Sequence, residues 1–188
     1  MTPRGFALFE TAVGTCAVAW SDRGLVGVQL PESNTAATRG RVVNRFPEAS
    51  EMTPPPDVQH ALESIVALLQ GVSIDLSSVS IDMDDVPAFD RRVYEVARTI
   101  PPGSTLSYGA VATKLGAPGA ARSVGGALGR NPFAIVVPCH RVVAADGKPG
   151  GFSAGGGVAT KLRLLSIERE GQGNALPLFS GSSHTRGR

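Results

Sequence analysis

The period of the hydrophobic pattern changes near the middle of the 188-residue chain, and this change restricts the folds the chain can adopt. Three segments within the first thirty residues are short, apolar and rich in strand-forming side chains, with turn-forming residues between them. They lie at residues 6–10, 13–20 and 25–30. Further along, apolar residues recur three and four positions apart, as Phe89, Val93 and Val96 do, which predicts helices. The sequence therefore predicts an α+β fold, with a small sheet first and a mostly helical part second.

The segments between these two parts carry weaker signals. Residues 31–56 are polar and end in three prolines, which predicts a loop or linker. Asp57 is predicted to cap a helix that Gly71 ends. Residues 79–83 are a candidate for one further strand.

An acidic stretch at residues 82–85 marks the predicted domain boundary. We expect an N-terminal supporting domain over residues 1–85 and a C-terminal domain over residues 86–170. Residues 171–188 are rich in Gly, Ser and polar side chains, so they are expected to form a disordered tail.

The C-terminal part contains the pattern of a helix-turn-helix. Ser107 is placed to cap one helix, and a turn at residues 117–119 leads to a third helix at about residues 120–128. This third helix contains Gly125 and Gly126, each about 1 kcal/mol less favourable than Ala inside a helix. The two glycines indicate a low helix surface, either for packing against the preceding helix or for close approach of a ligand.

Composition excludes several classes of protein. No apolar run approaches the roughly 18 residues of a membrane span, and the first residues do not resemble a secretory signal. Two cysteines and three histidines are too few, at these spacings, for a disulfide framework or a metal site. We therefore expect a cytoplasmic monomer with reduced thiols and no bound metal.

Charge is distributed unevenly along the chain. Residues 1–90 carry 5 Lys/Arg against 12 Asp/Glu, a net charge of −7, whereas residues 91–188 carry 13 against 4, a net charge of +9. A basic half on a chain of net charge +2 is typical of contact with a polyanion such as nucleic acid, although solvated surface charge gives the same pattern.

The strongest chemical signal surrounds Cys139. An apolar segment predicted to be a buried strand runs into Pro138, and the thiol then precedes His140 and Arg141. Cationic or proton-accepting neighbours lower the pKa of a thiol and so favour the nucleophilic thiolate. Cys16 lies in an apolar strand without polar neighbours and is predicted to be a core residue. Cys139 is therefore the predicted nucleophile.

The segment Pro138-Cys139-His140-Arg141, followed by Val142, resembles the active-site signature of the methylated-DNA–protein-cysteine methyltransferases. The resemblance covers residues 89–168, whereas the first ninety residues match only in general layout. It continues through Ser107-Tyr108-Gly109, Ala120-Ala121-Arg122-Ser123-Val124-Gly125, Asn131-Pro132, Gly151-Phe152-Ser153 and Lys161-Leu162-Arg163-Leu164-Leu165. The resemblance implies a single-turnover protein without a cofactor and without an obligate protein partner. It would take the alkyl group from O6-alkylguanine in double-stranded DNA; activity on O4-alkylthymine is left open.

The resemblance also implies a catalytic role for each of four residues. Cys139 would accept the alkyl group, and His140 would take its proton through a water molecule. Glu168 would orient His140, and Asn131 would hold the turn before the active-site segment.

Five further residues would bind the DNA or the flipped base. Tyr108 would contact the base and donate a proton to the leaving guanine, and Arg122 would fill the gap in the base stack. The Val142 carbonyl and the Ser153 amide would read the guanine edge, and Phe152 would form a wall of the pocket. The same resemblance implies a ribonuclease-H-like N-terminal domain and a helix-turn-helix that enters the minor groove.

Two departures from the family pattern and three alternatives accompany this interpretation. Phe152 stands where many relatives have tyrosine, and the loop of Gly155, Gly156 and Gly157 is about two residues longer than in some members.

A lesion-binding protein of the same fold would lack the acceptor cysteine, and a regulator would be expected to carry a separate domain. A cysteine hydrolase would need a direct pair of Cys139 and His140, which neighbours in an extended strand do not form readily.

Overall fold

The computed structural model describes residues 4–153 and 155–173, and its first elements are the predicted strands. Strands β1 (Gly5–Thr11), β2 (Gly14–Ser21) and β3 (Gly24–Gln29) form an antiparallel meander, which confirms the prediction. Strand β4 (Ser50–Glu51) pairs in parallel with β1, so the strand order is β3-β2-β1-β4.

The segment predicted to be a loop contains a helix, so that prediction is wrong. Helix α1 (Thr35–Arg45) is capped by Asn34, whose side chain accepts a hydrogen bond from the Ala37 amide at 2.9 Å. Only Thr38 and Val42 of this helix are buried. Because so few of its residues face the core, its composition resembles that of a loop and hides the helical period.

Helix α2 (Pro56–Leu69) begins earlier than its predicted cap. The N-cap position is Pro55, and Asp57 lies in the first turn, where its negative charge suits the helix dipole. The candidate strand at residues 79–83 is reduced to an isolated bridge between Leu25 and Ile81.

The second part is mostly helical, as predicted. Its elements are α3 (Ala88–Arg98), β5 (Leu106–Ser107), α4 (Tyr108–Lys114), α5 (Ala121–Gly129), β6 (Val142–Val143) and α6 (Gly157–Gly173). Ser107 caps α4, because its hydroxyl accepts a hydrogen bond from the Ala110 amide at 3.0 Å. Gly116, just after α4, has a φ of 71°, which lets the chain turn toward α5.

Helix α6 continues through Gly173, so it extends three residues into the segment predicted to be a disordered tail. The remainder of that prediction, residues 174–188, lies outside the described residues. None of the helices in the described part of the chain is both long enough and apolar enough to cross a membrane.

One hydrophobic core connects the sheet to the helices. It runs from the sheet through α2 to α3, α4 and α5 and includes the segment that precedes Cys139. Strand β3 holds that segment directly, because the Val28 amide donates to the Pro132 carbonyl at 2.8 Å. The sheet therefore fixes the position of the chain that carries the candidate nucleophile.

Candidate active site

Cys139 does not follow a strand, contrary to the sequence prediction, but begins a 3₁₀ turn (Cys139–Arg141). The preceding segment forms isolated bridges, including one between Ala134 and Val137, in place of a continuous strand. Ile135 has a φ of 74°, a left-handed conformation that costs a non-glycine residue about 1–3 kcal/mol. This local reversal turns the chain back on itself and is the reason that the strand does not form.

Asn131 ties the reversed segment together. Its amide nitrogen donates to the Val137 carbonyl at 2.9 Å, and its amide oxygen accepts from the Phe133 amide at 2.9 Å. Two hydrogen bonds across one turn offset part of the strain at Ile135. The Asn131 side chain thus bonds to backbone groups on both sides of Ile135.

His140 and Arg141 both turn toward Glu168 on α6. His140 Nε2 lies 2.8 Å from Glu168 Oε1, and the Arg141 guanidinium donates to both carboxylate oxygens, at 2.8–3.1 Å. The Gly103 amide donates to Oε2 at 2.9 Å. All three side chains in this cluster are buried.

The second nitrogen of His140, Nδ1, is buried without a hydrogen-bond partner among the described residues. His140 and Cys139 therefore form no direct side-chain pair. From the sequence we expected an extended strand to keep Cys139 and His140 apart. In the structure they are kept apart by the 3₁₀ turn and by the bond from His140 to Glu168.

The protonation states in this cluster follow from burial and from these bonds. Burial acts to raise the pKa of Glu168, but hydrogen bonds from His140 and Arg141 and their charges outweigh it and lower the pKa to about 2. Burial lowers the pKa of His140 below its ordinary value, and Glu168 opposes this only in part. At neutral pH the site thus holds an ionised Glu168 beside a neutral imidazole that can accept a proton.

The pKa of Cys139 moves opposite to the sequence prediction. Burial raises it, and the groups that oppose the rise are the Asn131 side chain, the charge of Lys161 and backbone N–H groups. Arg141 does not act on the thiol, because its guanidinium is bound to Glu168 and to the Ile100 carbonyl. Cys139 therefore rests as a thiol, and its reaction needs a proton acceptor.

Lys161 is a functional candidate that the sequence analysis did not single out. It is fully buried, its Nζ donates to the Val142 carbonyl at 2.6 Å, and it lies 5.7 Å from the centre of the Tyr108 ring. It shares one face of α6 with Leu164, Leu165 and Glu168, at helical spacing. A lysine within an otherwise apolar stripe, one turn from Leu165 and two from Glu168, was the signal that could have identified Lys161.

A cavity of about 620 Å³, here called the hairpin cavity, opens between the α4–α5 hairpin and residues 151–153. Five of the nine predicted site residues line it: Cys139, Tyr108, Arg122, Phe152 and Ser153. Arg122 is exposed at its rim, and the Ser153 hydroxyl donates to the Gly129 carbonyl at 2.8 Å. Val142 is not among the lining residues, and its carbonyl, predicted to read the guanine edge, accepts the bond from Lys161.

A second cavity of about 450 Å³, here called the α1 cavity, lies on another side of Cys139. Arg41, Asn44 and Arg45 of helix α1 line it together with Glu32 and the residues around Gly129. The sequence analysis missed this cavity because it missed α1.

Cys16 occupies a different environment. It is fully buried on β2, and burial raises the pKa of its thiol to about 12. Within the described part of the chain, no group of three or more His, Cys, Asp or Glu side chains is placed to hold a metal ion.

Fold and site together define a mixed α+β protein that presents one cysteine to a cavity beside a helical hairpin, backed by a buried His–Glu pair. Residues 88–170 match the family described as "6-O-methylguanine DNA methyltransferase, DNA binding domain". The methylated-DNA–protein-cysteine methyltransferase of Methanothermobacter thermautotrophicus is 38% identical over 151 residues, which cover 80% of this chain and 77% of that protein. The protein of the same name from Mycobacterium tuberculosis is 42% identical over 135 residues, or 71% of this chain and 79% of that one.

Solved structures agree with these sequence matches. The crystal structure of Mycobacterium tuberculosis OGT in complex with DNA superposes with a TM-score of 0.68 at 32% identity, covering 89% of this chain and 94% of that one. The O6-methylguanine-DNA methyltransferase of Pyrococcus kodakaraensis gives a TM-score of 0.68 at 26% identity, covering 87% and 98%. The chain belongs to the methylated-DNA–protein-cysteine methyltransferase family.

Proposed function

We propose that this protein repairs DNA by transferring the alkyl group of O6-alkylguanine to its own Cys139, once per molecule. The observation that carries the proposal is the position of Cys139, on the wall of the hairpin cavity and one residue from a His140–Glu168 pair. Relatives named methylated-DNA–protein-cysteine methyltransferases and a relative solved in complex with DNA support it.

The proposed reaction begins with the thiol proton. A water molecule relays it from Cys139 to His140 Nδ1, the nitrogen that no described residue engages. Glu168 stabilises the imidazolium that forms, because its carboxylate is already ionised and bound to Nε2. The thiolate then attacks the alkyl carbon, a C–S bond forms, and the bond from that carbon to O6 breaks.

Tyr108 is the proposed proton donor to the leaving guanine. It lines the hairpin cavity, and burial, followed by the nearby Cys139, raises the pKa of its hydroxyl above the ordinary value. The hydroxyl is therefore protonated at neutral pH and able to donate as negative charge develops on the base. The product is a thioether on Cys139 and an unmodified guanine. A thioether cannot return to a thiolate in this site, so each molecule acts once.

Helices α4 and α5 form the proposed helix-turn-helix, with α5 against the minor groove. At Gly125 a Cβ would meet only the Tyr108 ring, at an ordinary contact distance of 3.8 Å. Packing therefore does not require a glycine at this position, and a low surface for DNA remains the better explanation. Arg122, exposed on the same helix, is proposed to fill the space that the flipped base leaves.

The remaining residues of the proposed site bind the guanine base or position the groups that bind it. Phe152 walls the cavity, and the Ser153 amide and the second lone pair of the Val142 carbonyl read the guanine edge. Lys161 is added here as a positioning residue, because it fixes that carbonyl while its charge favours the Cys139 thiolate.

We further propose a two-part organisation and a cytoplasmic location. Residues 1–85 form a ribonuclease-H-like supporting domain, for which the meander followed by a parallel strand β4 is the support. Residues 86–170 form the DNA-binding and catalytic domain. Two free cysteines, Cys16 and Cys139, suit a reducing compartment. The proposed partner is double-stranded DNA that carries the lesion, and no cofactor enters the reaction.

Titration of the protein with a duplex that contains one O6-methylguanine tests this proposal. The amount of guanine restored should reach one equivalent per protein and then stop. Continued turnover, or no restoration at all, would contradict it. Binding to the duplex should weaken with salt, by a log–log slope of about −0.9 for each phosphate neutralised.

A further inference from the structure

Two cavities meet at Cys139, and the proposed reaction uses only one of them. The hairpin cavity and the α1 cavity share five lining residues: Leu128, Gly129, Cys139, Phe152 and Ser153. The thiol therefore lies where the two spaces adjoin. The α1 cavity, of about 450 Å³, is large enough for a group of benzyl size.

The direction of attack determines where the substituents of the alkyl carbon lie. In an in-line displacement, sulfur, the alkyl carbon and O6 lie on one line, so the other substituents on that carbon project sideways. A methyl group has only hydrogens there. A larger alkyl group has to extend sideways from the base, and the α1 cavity is an adjoining space that the base itself does not occupy.

The charges that line the α1 cavity come largely from helix α1. Arg41 and Arg45 both line it, and the pKa of Arg45 is lowered by burial and then by the like charge of Arg41. Among the described residues, no carboxylate forms a salt bridge with Arg45, which stacks instead on the Phe46 ring at 5.3 Å.

The other charged groups in this cavity are already engaged. Arg130 is held by Asp90 through two hydrogen bonds of 2.9 Å. Glu32, the one carboxylate among the described residues that line the cavity, accepts from Gln29 at 3.1 Å and lies 3.9 Å from Arg41. Arg41 and Arg45 thus bring net positive charge to the lining of a space that adjoins the reacting carbon.

We propose that the α1 cavity receives the distal part of bulky O6-substituents, and that Arg41 and Arg45 make it favour anionic ones, such as carboxyalkyl and carboxybenzyl groups. This inference rests on the proposed function, because it extends the substrate class of the same cysteine. The reaction is otherwise unchanged: a C–S bond forms, the bond to O6 breaks, and the carboxylate takes no part.

The test uses free O6-substituted guanines, so that DNA phosphates cannot account for the result. The three substrates are O6-(4-carboxybenzyl)guanine, the neutral O6-(4-carbamoylbenzyl)guanine and the cationic O6-(4-aminomethylbenzyl)guanine. Single-turnover rates are expressed relative to the carbamoyl compound for each protein, which removes general effects on the thiol. The wild type should favour the carboxylate by about threefold to fivefold, the range of a partly exposed ion pair, and should disfavour the ammonium.

Variants locate the source of this preference. The double variant Arg41→Gln/Arg45→Gln should bring all three relative rates close to one. The control is Arg39→Gln, since Arg39 lies on the same helix but pairs with Glu51 and does not line the cavity. It should keep the wild-type order. Added salt should reduce the preference in the wild type, a measurement that needs no variant.

Three outcomes would overturn the inference. A wild type without a charge preference would contradict it, as would a preference that survives the double variant. If Arg39→Gln lost the preference for the carboxylate substrate to the same extent, the effect would come from the total positive charge of α1 and not from the cavity lining. Transfer from none of the three substrates would instead contradict the proposed function, a failure that the rates themselves distinguish.

Discussion

Cys16 and Cys139 are the two cysteines of this chain, and their surroundings differ in ways that decide which can react. Cys16 is fully enclosed on β2, in contact with apolar core residues and, at 3.7 Å from its sulfur, with the Thr11 hydroxyl. Cys139 is half-buried on a 3₁₀ turn, lines two cavities and has Asn131, Lys161 and backbone N–H groups beside its sulfur.

Burial raises the pKa of both thiols, so burial alone does not separate them. The difference lies in access and in the fate of the proton. Cys139 has a cavity from which a substrate can approach and a neutral imidazole in the next residue, whereas Cys16 has neither. A reactive cysteine in this fold is therefore one whose proton can leave when substrate is bound, rather than one that is ionised at rest.

The largest expected difference is between variants that lack one or the other of the two thiols. Cys139→Ala should abolish alkyl transfer, because no other described thiol lines the hairpin cavity, and should leave binding to the lesion largely intact. Cys16→Ala should transfer at the wild-type rate. Uptake of methyl label by each variant checks this, and residual uptake by Cys139→Ala would point to Cys16.

Glu168→Gln should slow transfer by about a hundredfold, the lower range for loss of acid–base assistance. The amide has nearly the same shape but cannot stabilise the imidazolium of His140. Single-turnover rates across pH 6–9 measure the effect, with Ser166→Ala on the exposed face of α6 as the control. A wild-type rate for Glu168→Gln across that range would show that the relay is wrong.

The same residue makes stability depend on pH. The pKa of Glu168 falls from 4.5 to about 2 in the folded protein, which corresponds to about 3 kcal/mol. Because the folded pKa is depressed, this contribution is present above pH 4.5 and is lost as the pH falls toward 2. Urea unfolding of wild type and Glu168→Gln should show a difference that shrinks over this window; a constant difference would contradict the assigned charge.

Arg122→Ala should distinguish access to the thiol from the chemistry of the thiol. Repair of duplex O6-methylguanine should slow by about tenfold, since extrusion of a base costs a few kcal/mol that a gap-filling side chain offsets. Reaction with free O6-benzylguanine needs no base flipping and should hardly change. Equal losses on both substrates would indicate a damaged pocket, and no loss on the duplex would exclude Arg122 from flipping.

The smallest effect is expected at Cys16, in stability alone. Removal of a fully buried sulfur from β2 should lower the free energy of unfolding by about 1 kcal/mol. Denaturant titration of Cys16→Ala measures this. A loss of transfer rate without a loss of stability would mean that the N-terminal thiol takes part in the reaction.

Much of the fold could be predicted from local pattern. Clear turns separate the three strands, and apolar residues recur at helical spacing in the helices after residue 86. Short windows of sequence are therefore enough to predict these elements. Helix α1 was not predicted because only its Thr38 and Val42 are buried, so the sequence shows no helical pattern of apolar residues. The turn before Cys139 was missed because Val and Ile favour strands, whereas Ile135 adopts a positive φ that its residue type does not suggest.

Some features of the candidate site could likewise be predicted from the sequence, and others depend on the folded structure. Cys139 was predicted from its neighbours in the sequence, and His140 and Glu168 were identified through resemblance. The structure pairs His140 with Glu168 and holds Cys139 in the same 3₁₀ turn as His140, without a direct side-chain contact between those two. The direction of the Cys139 pKa was wrong, because burial and the capture of Arg141 by Glu168 depend on tertiary packing. Lys161 and the arginines of the α1 cavity were missed for the same reason, since only the folded chain brings α1 and α6 to the thiol.

Cys139, and not Cys16, is the cysteine proposed to receive the alkyl group. Mass spectrometry of the intact protein after incubation with duplex O6-methylguanine, followed by peptide mapping, tests it most directly. We expect one added methyl group, located on the peptide that contains Cys139, and an unmodified Cys16. A methyl group on the Cys16 peptide, or repaired DNA with an unmodified protein, would contradict it.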